Sequence, residues 1–283
     1  MTTVTLIMIV KNESSIIDRC LNIAKTYVDY MVISDTGSTD NTPSLIEKFF
    51  IDHSIQGKLY HDKWKNFGHN RTQSLLNGQE WLKQNGIPLH KNFFITIDAD
   101  MILSSRNMFD KEKLNEKDAW MILQETPNIK YYNMRIFRSD LHYRCIGVTH
   151  EYWSCKDKIN DGKLDSLYID DRGDGGCKAD KFTRDIALLE QGLKDEPDNV
   201  RYYFYLAQSY ADSNDIENGL KWYKKRIDAG GWIEEIFISH LRRGELYEKK
   251  CDFGNAIMEW IQAYEKLPSR AETLRSEERR VGK

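Results

Sequence analysis

Phe93-Phe-Ile-Thr-Ile-Asp-Ala-Asp100 decides the fold, because an apolar run passes directly into two acids separated by one residue. A continuous run of this kind suits a strand covered on both faces, as in a sheet flanked by helices. At its end Asp98 and Asp100 are spaced so that both carboxylates can reach one divalent cation, and hard ions such as Mn²⁺ or Mg²⁺ prefer oxygen ligands. A lone D-x-D is a weak signal. Its position at a strand end gives it weight.

Two similar transitions lie upstream. Val4-Thr-Leu-Ile-Met-Ile-Val10 is a buried strand followed by Lys11-Asn-Glu13, and Asn12-Glu-Ser-Ser opens a helix with Ile16, Ile17, Cys20, Leu21 and Ala24 on one side. Tyr30-Met-Val-Ile-Ser34 is a second strand, which makes Phe93–Ile97 the third. After the second strand, Asp35 can accept from a nucleobase N–H or ribose hydroxyls. Gly37 permits close backbone approach, and Ser38 to Asp40 can cap the helix of Leu45, Ile46, Phe49 and Phe50. The plain alternatives are an N-capped turn for Asp35 and a first-turn helix acid for Glu13. Strands alternating with helices, with ligand-type residues after the strands, define an open α/β sheet that binds at its carboxyl edge. Strand signals around Trp120–Leu123, Asn133–Phe137 and Gly147–His150 make the sheet mixed.

Composition narrows the classes. The 283 residues suffice for one large core or two smaller ones, and a formal net charge of -3 gives no reason to expect nucleic acid as a partner. The Val4–Val10 run is too short for a membrane span and lacks the flanks of a signal peptide. Cys20, Cys145, Cys155, Cys177 and Cys251 are scattered without a C-x-x-C pair, which reads as reduced thiols. The sequons at Asn12 and Asn70 fall within candidate ligand-site segments where a glycan is intolerable. The expected localisation is cytoplasmic.

A second domain begins after Gly173-Asp-Gly-Gly176. From Lys181 the chain reads as successive amphipathic helices. Ala207 and Tyr210, then Gly219 and Tyr223, recur 37 positions later as Gly244 and Tyr247, then Ala256 and Trp260. This small-residue and aromatic pattern resembles tetratricopeptide repeats. Gly230-Gly-Trp232 supplies the extra turn, Pro268 stands at the repeat end, and the helix of Ile186, Leu189 and Leu193 forms a cap. The expected division is a catalytic domain over 1–180 and helical repeats over 181–274. The tail 275–283 resembles a translated sequencing adapter or a disordered end and is given no function.

Taken in order, Lys11-Asn-Glu13, Asp35-Thr-Gly-Ser-Thr-Asp-Asn-Thr42 and Asp98-Ala-Asp100 resemble the inverting GT-A glycosyltransferases of family 2, in the branch carrying C-terminal tetratricopeptide-like helices. The resemblance covers about residues 4–180 and, through the repeats, extends to about 272. It implies a Rossmann-like mixed-sheet GT-A domain followed by an all-α tetratricopeptide-like domain. It also implies a nucleotide-sugar donor, UDP by family habit, with Mn²⁺ or Mg²⁺. Many members have two consecutive acids where this chain has Asp35-Thr36, so Asp35 is the better nucleoside-binding candidate. By the same resemblance Lys11, Asn12 and Glu13 lie beside the base, and Gly37 and Asp40 belong to the donor turn. Asp98 meets ribose or metal-bound water, and Asp100 ligates the metal. Trp64-Lys-Asn-Phe-Gly-His-Asn-Arg71 resembles a donor-side segment in which Arg71 pairs with phosphate or holds Asp98. In Gly147-Val-Thr-His-Glu151, taken as a catalytic strand end, Glu151 is the base and His150 a metal ligand or phosphate contact. Asp170 and Asp171 are rival bases. Asp174-Gly-Gly176 with Lys178, Lys181 and Arg184 reads either as a basic cover closing on the diphosphate or as an interdomain linker.

The acceptor is a peptide or a glycan, with peptide binding or a homodimer through the repeats as the expected use of the helical half. Two other readings stand beside this one: an interaction protein with an inactive sheet domain, and a nucleotidyltransferase. The latter wants a glycine-rich basic loop after the first strand, and Lys11-Asn-Glu-Ser-Ser15 is not one.

Overall fold

The computed structural model describes residues 1–175 and 181–270. Expectations that concern Gly176, Cys177, Lys178 and 275–283 lie outside the described residues. The chain divides into two compact units, Met1–Ala179 and Asp180–Lys283.

The first unit is a mixed eight-stranded sheet with helices on both faces. Its first half follows the expected alternation: β1 (Thr3–Val10), α1 (Ile17–Ala24), β2 (Tyr30–Asp35) and α2 (Thr42–Asp52). Then come β3 (Gln56–His61), α3 (Phe67–Gln84) and β4 (Asn92–Thr96). The D-x-D strand is therefore the fourth, because β3 adds a parallel edge strand beside β2 that was not expected. Helix α1 starts at Ile17, later than the Asn12 start expected, because Asn12 adopts φ 56 and bends the chain out of β1.

Strands β5 (Met101–Ser105), β6 (Ala119–Glu125), β7 (Lys130–Arg138) and β10 (Asp161–Asp171) complete the sheet. Its order is β3-β2-β1-β4-β7-β6-β10-β5, with β8 (Tyr143–Ile146) and β9 (Tyr152–Cys155) pairing separately. Gly147–His150, expected as a strand, is instead the turn between β8 and β9, with Gly147 at φ 110 and His150 at φ 50.

Two cores sandwich the sheet. Ile17, Cys20, Leu21 and Ala24 of α1 join Ile46 and Phe49 of α2 over Leu6, Met31, Phe93 and Ile95. On the opposite face Leu75, Trp81 and Leu82 of α3 pack on Ile7, Val32, Phe94 and Phe137. The seam between β4 and β5 is geometrically demanding. Four inter-strand steps in a flat sheet span about 19 Å, whereas the link from Thr96 to Met101 reaches at most about 18 Å. The sheet must curl for the chain to close. Asp98 and Asp100 lie on that link.

The second unit is all helical: α4 (Lys181–Asp195), α5 (Val200–Asp212), α6 (Ile216–Asp228), α7 (Ile233–Lys249) and α8 (Phe253–Lys266). The 37-residue echo extends to the turns. Asp215 caps α6 by accepting from the Asn218 N–H, and Asp252 caps α8 by accepting from the Asn255 N–H. The residues just before these caps, Asn214 and Cys251, have φ 65 and 59. Gly244 allows α7 and α8 to meet closely, since a Cβ there would stand 2.2 Å from Trp260 Nε1. Ala207, Leu220, Tyr223 and Leu246 form the shared core. Among the described residues no helix is long and apolar enough to cross a membrane. Cys20, Cys145, Cys155 and Cys251 form no disulfide.

Candidate active site

Parallel pairing of β1 with β2 and with β4 aligns their carboxyl ends, so the three ligand-type segments open onto one edge. At the β2 end Asp35 is 3% exposed. Its Oδ2 accepts the N–H groups of Gly37 at 3.2 Å and Ser38 at 3.1 Å, and His61 Nδ1 lies 3.7 Å away. Gly37, at φ 99, makes that tight return. The two turns lock together: the Asn12 N–H donates to Ser38 Oγ at 2.9 Å, and Asn12 Oδ1 accepts the Thr39 N–H at 2.7 Å. The Glu13 N–H donates to Thr42 Oγ1 at 2.8 Å.

Asp40 is the fastener. Its carboxylate accepts the Ser14 N–H at 3.1 Å, the Thr42 N–H at 3.0 Å and Thr42 Oγ1–H at 2.6 Å. Burial alone would raise its pKa, but these hydrogen bonds outweigh burial and bring it down to about 2. Lys11 follows Val10 at the end of β1, and its side chain is half-buried.

Arg71 ties the second group together. The start of α3 docks on the β8–β9 turn, where the Phe67 and Gly68 N–H groups donate to Val148 O and Gly147 O, each at 3.1 Å. Those carbonyls satisfy donors that a helix start leaves unpaired. No side chain fits at position 68, since a Cβ would fall 2.3 Å from Gly147 O. Asn66 caps the helix through the His69 N–H, and Asn70, 1% exposed, binds Lys63 O and the Lys65 N–H. One turn in, Arg71 Nη1 meets Asp98 Oδ1 at 2.8 Å and its Nε donates to Glu151 Oε1 at 2.6 Å. Burial works against charge on Arg71, yet Asp98 and Glu151 prevail and hold its pKa well above the usual guanidinium range. For Asp98 burial likewise pushes upward, but Arg71 and then Arg135 outweigh it and keep the carboxyl below its ordinary value. Glu151 Oε2 has no hydrogen-bond partner among the described residues.

The third group lies under the β10 exit. The Arg172 N–H donates to Asp100 O at 3.3 Å, and Arg19 binds Asp174 through both terminal nitrogens at 2.8 and 2.7 Å. These contacts bring Gly175 over the acids. A Cβ there would stand 3.3 Å from Asp100 Oδ2 and 3.4 Å from both Glu13 carboxylate oxygens. Beneath, the Cys20 thiol is pushed up to about 12, first by burial and then by Asp98, with Asp100 and Glu13 adding to it. Glu13 and Asp100 therefore line one crevice beside Gly175, and Asp98, on the same β4–β5 link, turns to Arg71.

The remaining sequence candidates are distributed differently. His150 is within the β8–β9 turn next to Glu151. Among the described residues no three or more His, Cys, Asp or Glu side chains form a ready metal cage. Asp170 pairs with Arg172 at 3.1 Å, and Asp171 Oδ2 accepts from Gln124 Nε2 at 2.7 Å. Lys181 and Arg184 stand on the first turn of α4 in the helical unit, where Arg184 Nε is 3.5 Å from Asp185 Oδ1. Sequence reasoning missed Gln124 and Arg135, which are 2% and 9% exposed. A lone cation inside the apolar run Asn133-Met-Arg-Ile-Phe137 was the available signal for the second.

Residues 5–108, within the α/β unit, match the Glycosyl transferase family 2 model. The chain is 26% identical over 242 residues to the SPbeta prophage-derived glycosyltransferase SunS of Bacillus subtilis, covering 80% of this chain and 53% of that protein. A TPR repeat-containing protein of Synechococcus elongatus is 38% identical over 64 residues, which are 23% of this chain and 14% of that one. Among solved structures, S. aureus TarS 1-349 in complex with UDP-GlcNAc aligns with 94% of this chain and 92% of its own, at 14% identity and TM-score 0.44. The chain spans about half the length of the curated relatives it matches.

Proposed function

We propose that the protein transfers a sugar from a nucleotide-diphosphate donor, UDP-linked by family habit, to a peptide or glycan acceptor with inversion at the anomeric carbon. One observation carries this reading: Arg71 joins Asp98, the first acid of D-x-D, to Glu151, so that donor-side and acceptor-side carboxylates share one buried cation. Asp35 and the Asn12–Glu13 turn form the nucleoside side of the crevice, and Gly37 exposes backbone for close approach.

The donor set fits a hard divalent ion. Asp100 Oδ2 and the Glu13 oxygens face the spot beside Gly175, while Asp98 is engaged by Arg71. Mn²⁺ or Mg²⁺ is commonly held by one or two carboxylates together with substrate phosphates. Asp100 would hold it, with Glu13 adjoining. Bound there, the ion would neutralise charge on the diphosphate leaving group.

In the proposed step Glu151 Oε2 takes the proton of the acceptor nucleophile, which forms the new bond to the anomeric carbon. The opposite carbon–oxygen bond breaks, and its electron pair remains on the diphosphate. Arg71 holds Glu151 by Oε1 and so aims its other oxygen. Asp171 is the less suited rival, because Gln124 occupies its Oδ2. The helical repeats suit recruitment of a peptide, since stacked repeats commonly present extended binding surfaces.

The test is donor hydrolysis and transfer by the purified protein across a panel of nucleotide sugars, with and without Mn²⁺. Glu151→Gln is expected to lower turnover about 10²- to 10⁴-fold while donor affinity holds, as for loss of a general base. Asp100→Ala is expected to lose both turnover and metal-dependent nucleotide affinity. A protein that hydrolyses no nucleotide sugar and binds no nucleoside diphosphate would instead be an interaction module with an inactive sheet domain.

A further inference from the structure

Arg135 is a buried cation with no paired carboxylate among the described residues. Along the β6–β7 pair Trp120 faces Ile136, but Met121 faces Met134, so Arg135 is an extra residue bulged out of the ladder. Bulges disrupt pairing and re-aim a side chain, and they recur beside active sites. This one lies level with the end of β4, since Ile136 pairs with Ile95, and Asp98 follows three residues later.

The residue is 9% exposed, and among the described residues its side chain makes a single hydrogen bond, from Nη2 to Gln124 Oε1 at 2.8 Å. Its Nε has no partner among the described residues, and no ion pair engages it. Gln124 is itself held, because its Nε2 donates to Asp171. Of the nearby acids, Asp98 and Glu151 both pair with Arg71. Burial leaves the Arg135 guanidinium below its ordinary pKa, with Asp98 acting against that shift and Arg71 reinforcing it. A buried charge normally acquires a close partner, because isolation from water is costly. Here the described residues supply only a neutral amide.

We propose that Arg135 is an anion-receiving residue of the transfer site, donating from its guanidinium to the diphosphate of the nucleotide-sugar donor. The assignment rests on the reading of the crevice as a donor site. Its hydrogen bonds strengthen as the sugar–oxygen bond breaks, because the electron pair adds a further negative charge to a diphosphate that is already anionic, and charge-assisted bonds grow with the acceptor's charge. Gln124 is the positioning residue that holds the guanidinium in place.

The experiment measures binding of UDP, GDP, ADP and dTDP to the full chain, each against its own nucleoside and with Mn²⁺ present throughout. Wild-type protein should prefer one diphosphate over its nucleoside. Arg135→Gln should weaken that diphosphate about 10- to 100-fold, the range for a lost charge-assisted hydrogen bond, with nucleoside affinity unchanged. Arg135→Lys, which keeps the charge but loses the fork, should fall between, and it decides the matter if the glutamine variant does not fold. Unchanged diphosphate affinity in a folded variant overturns the assignment. So does an equal loss for diphosphate and nucleoside, which would mark a purely structural arginine. Wild-type protein showing no diphosphate preference would sink the donor-site reading itself, a result separate from any behaviour of the Arg135 variants.

Discussion

Both units bury arginine, and they treat it in opposite ways. In the helical unit Arg226 is 0% exposed and fully used: Nε donates to Glu235 Oε2 at 2.7 Å, Nη1 to Gly230 O at 2.6 Å and Nη2 to Trp232 O at 3.4 Å. It staples the α6–α7 turn, whose glycines at φ 67 and 90 turn carbonyls toward it. In the sheet unit Arg71 is also well paired, but its partners are the acids proposed for chemistry, and Arg135 beside it has one neutral partner among the described residues. A buried cation whose donors are all spent on the chain explains shape. One whose donors outnumber the acceptors around it points to a ligand.

The largest expected effects come from the two paired arginines. Arg226→Met and Arg71→Met should each cost about 3–5 kcal/mol in denaturant unfolding, because each takes the close cation from a buried carboxylate, Glu235 keeping only Arg201 at 3.8 Å. Only the second should abolish sugar turnover. In the helical unit, Arg226→Met combined with Glu235→Leu should recover most of the loss, since an apolar pair replaces the ionic one. If Arg226→Met abolished diphosphate affinity in a folded protein, the contrast between the units would be lost.

Arg135→Met should behave unlike either. Removing an uncompensated buried cation should change unfolding free energy by less than about 1 kcal/mol, even though diphosphate affinity falls. A destabilisation as large as that of Arg226→Met would show that Arg135 serves the fold.

The smallest effect concerns acid stability. Asp40 has its pKa depressed to about 2 from an ordinary value of 3.8. In that window the unfolded chain binds the proton more readily than the native one, so stability rises with pH and is lost as pH falls from about 4 to 2. Asp40→Asn should therefore flatten the acid limb of the unfolding curve over that range, with little change in slope above pH 5.

Much of the sheet was readable in advance. β1, β2 and β4 are continuous apolar runs, buried on both faces, and such runs announce themselves. β3 did not, because Gln56-Gly-Lys-Leu-Tyr-His61 is an edge strand with polar letters that becomes a strand by pairing with β2. The long β10 hid although it lies inside the sheet between β6 and β5, because its Asp161–Asp171 span is rich in acids. Gly147–His150 misled in the other direction. Val148 and Thr149 favour strands, yet the turn is set by positive φ at Gly147 and His150 and by the helix start that docks on it. In the helices the repeat period was legible because each small residue has to admit its aromatic neighbour, as Gly244 admits Trp260.

The candidate acids were visible because each follows a recognisable strand, and their order along the chain carried the family resemblance. From sequence alone came the alternation of elements, the two-part organisation and the identity of the strand-end acids, since these depend on local composition and period. Tertiary structure alone decided which acids share a cation, that Asp40 fastens two turns, that the sheet curls to close the Asp98–Asp100 link, and that Arg135 bulges from its ladder. Those outcomes depend on register and on through-space charge, which join residues tens of positions apart and leave no mark in any local window.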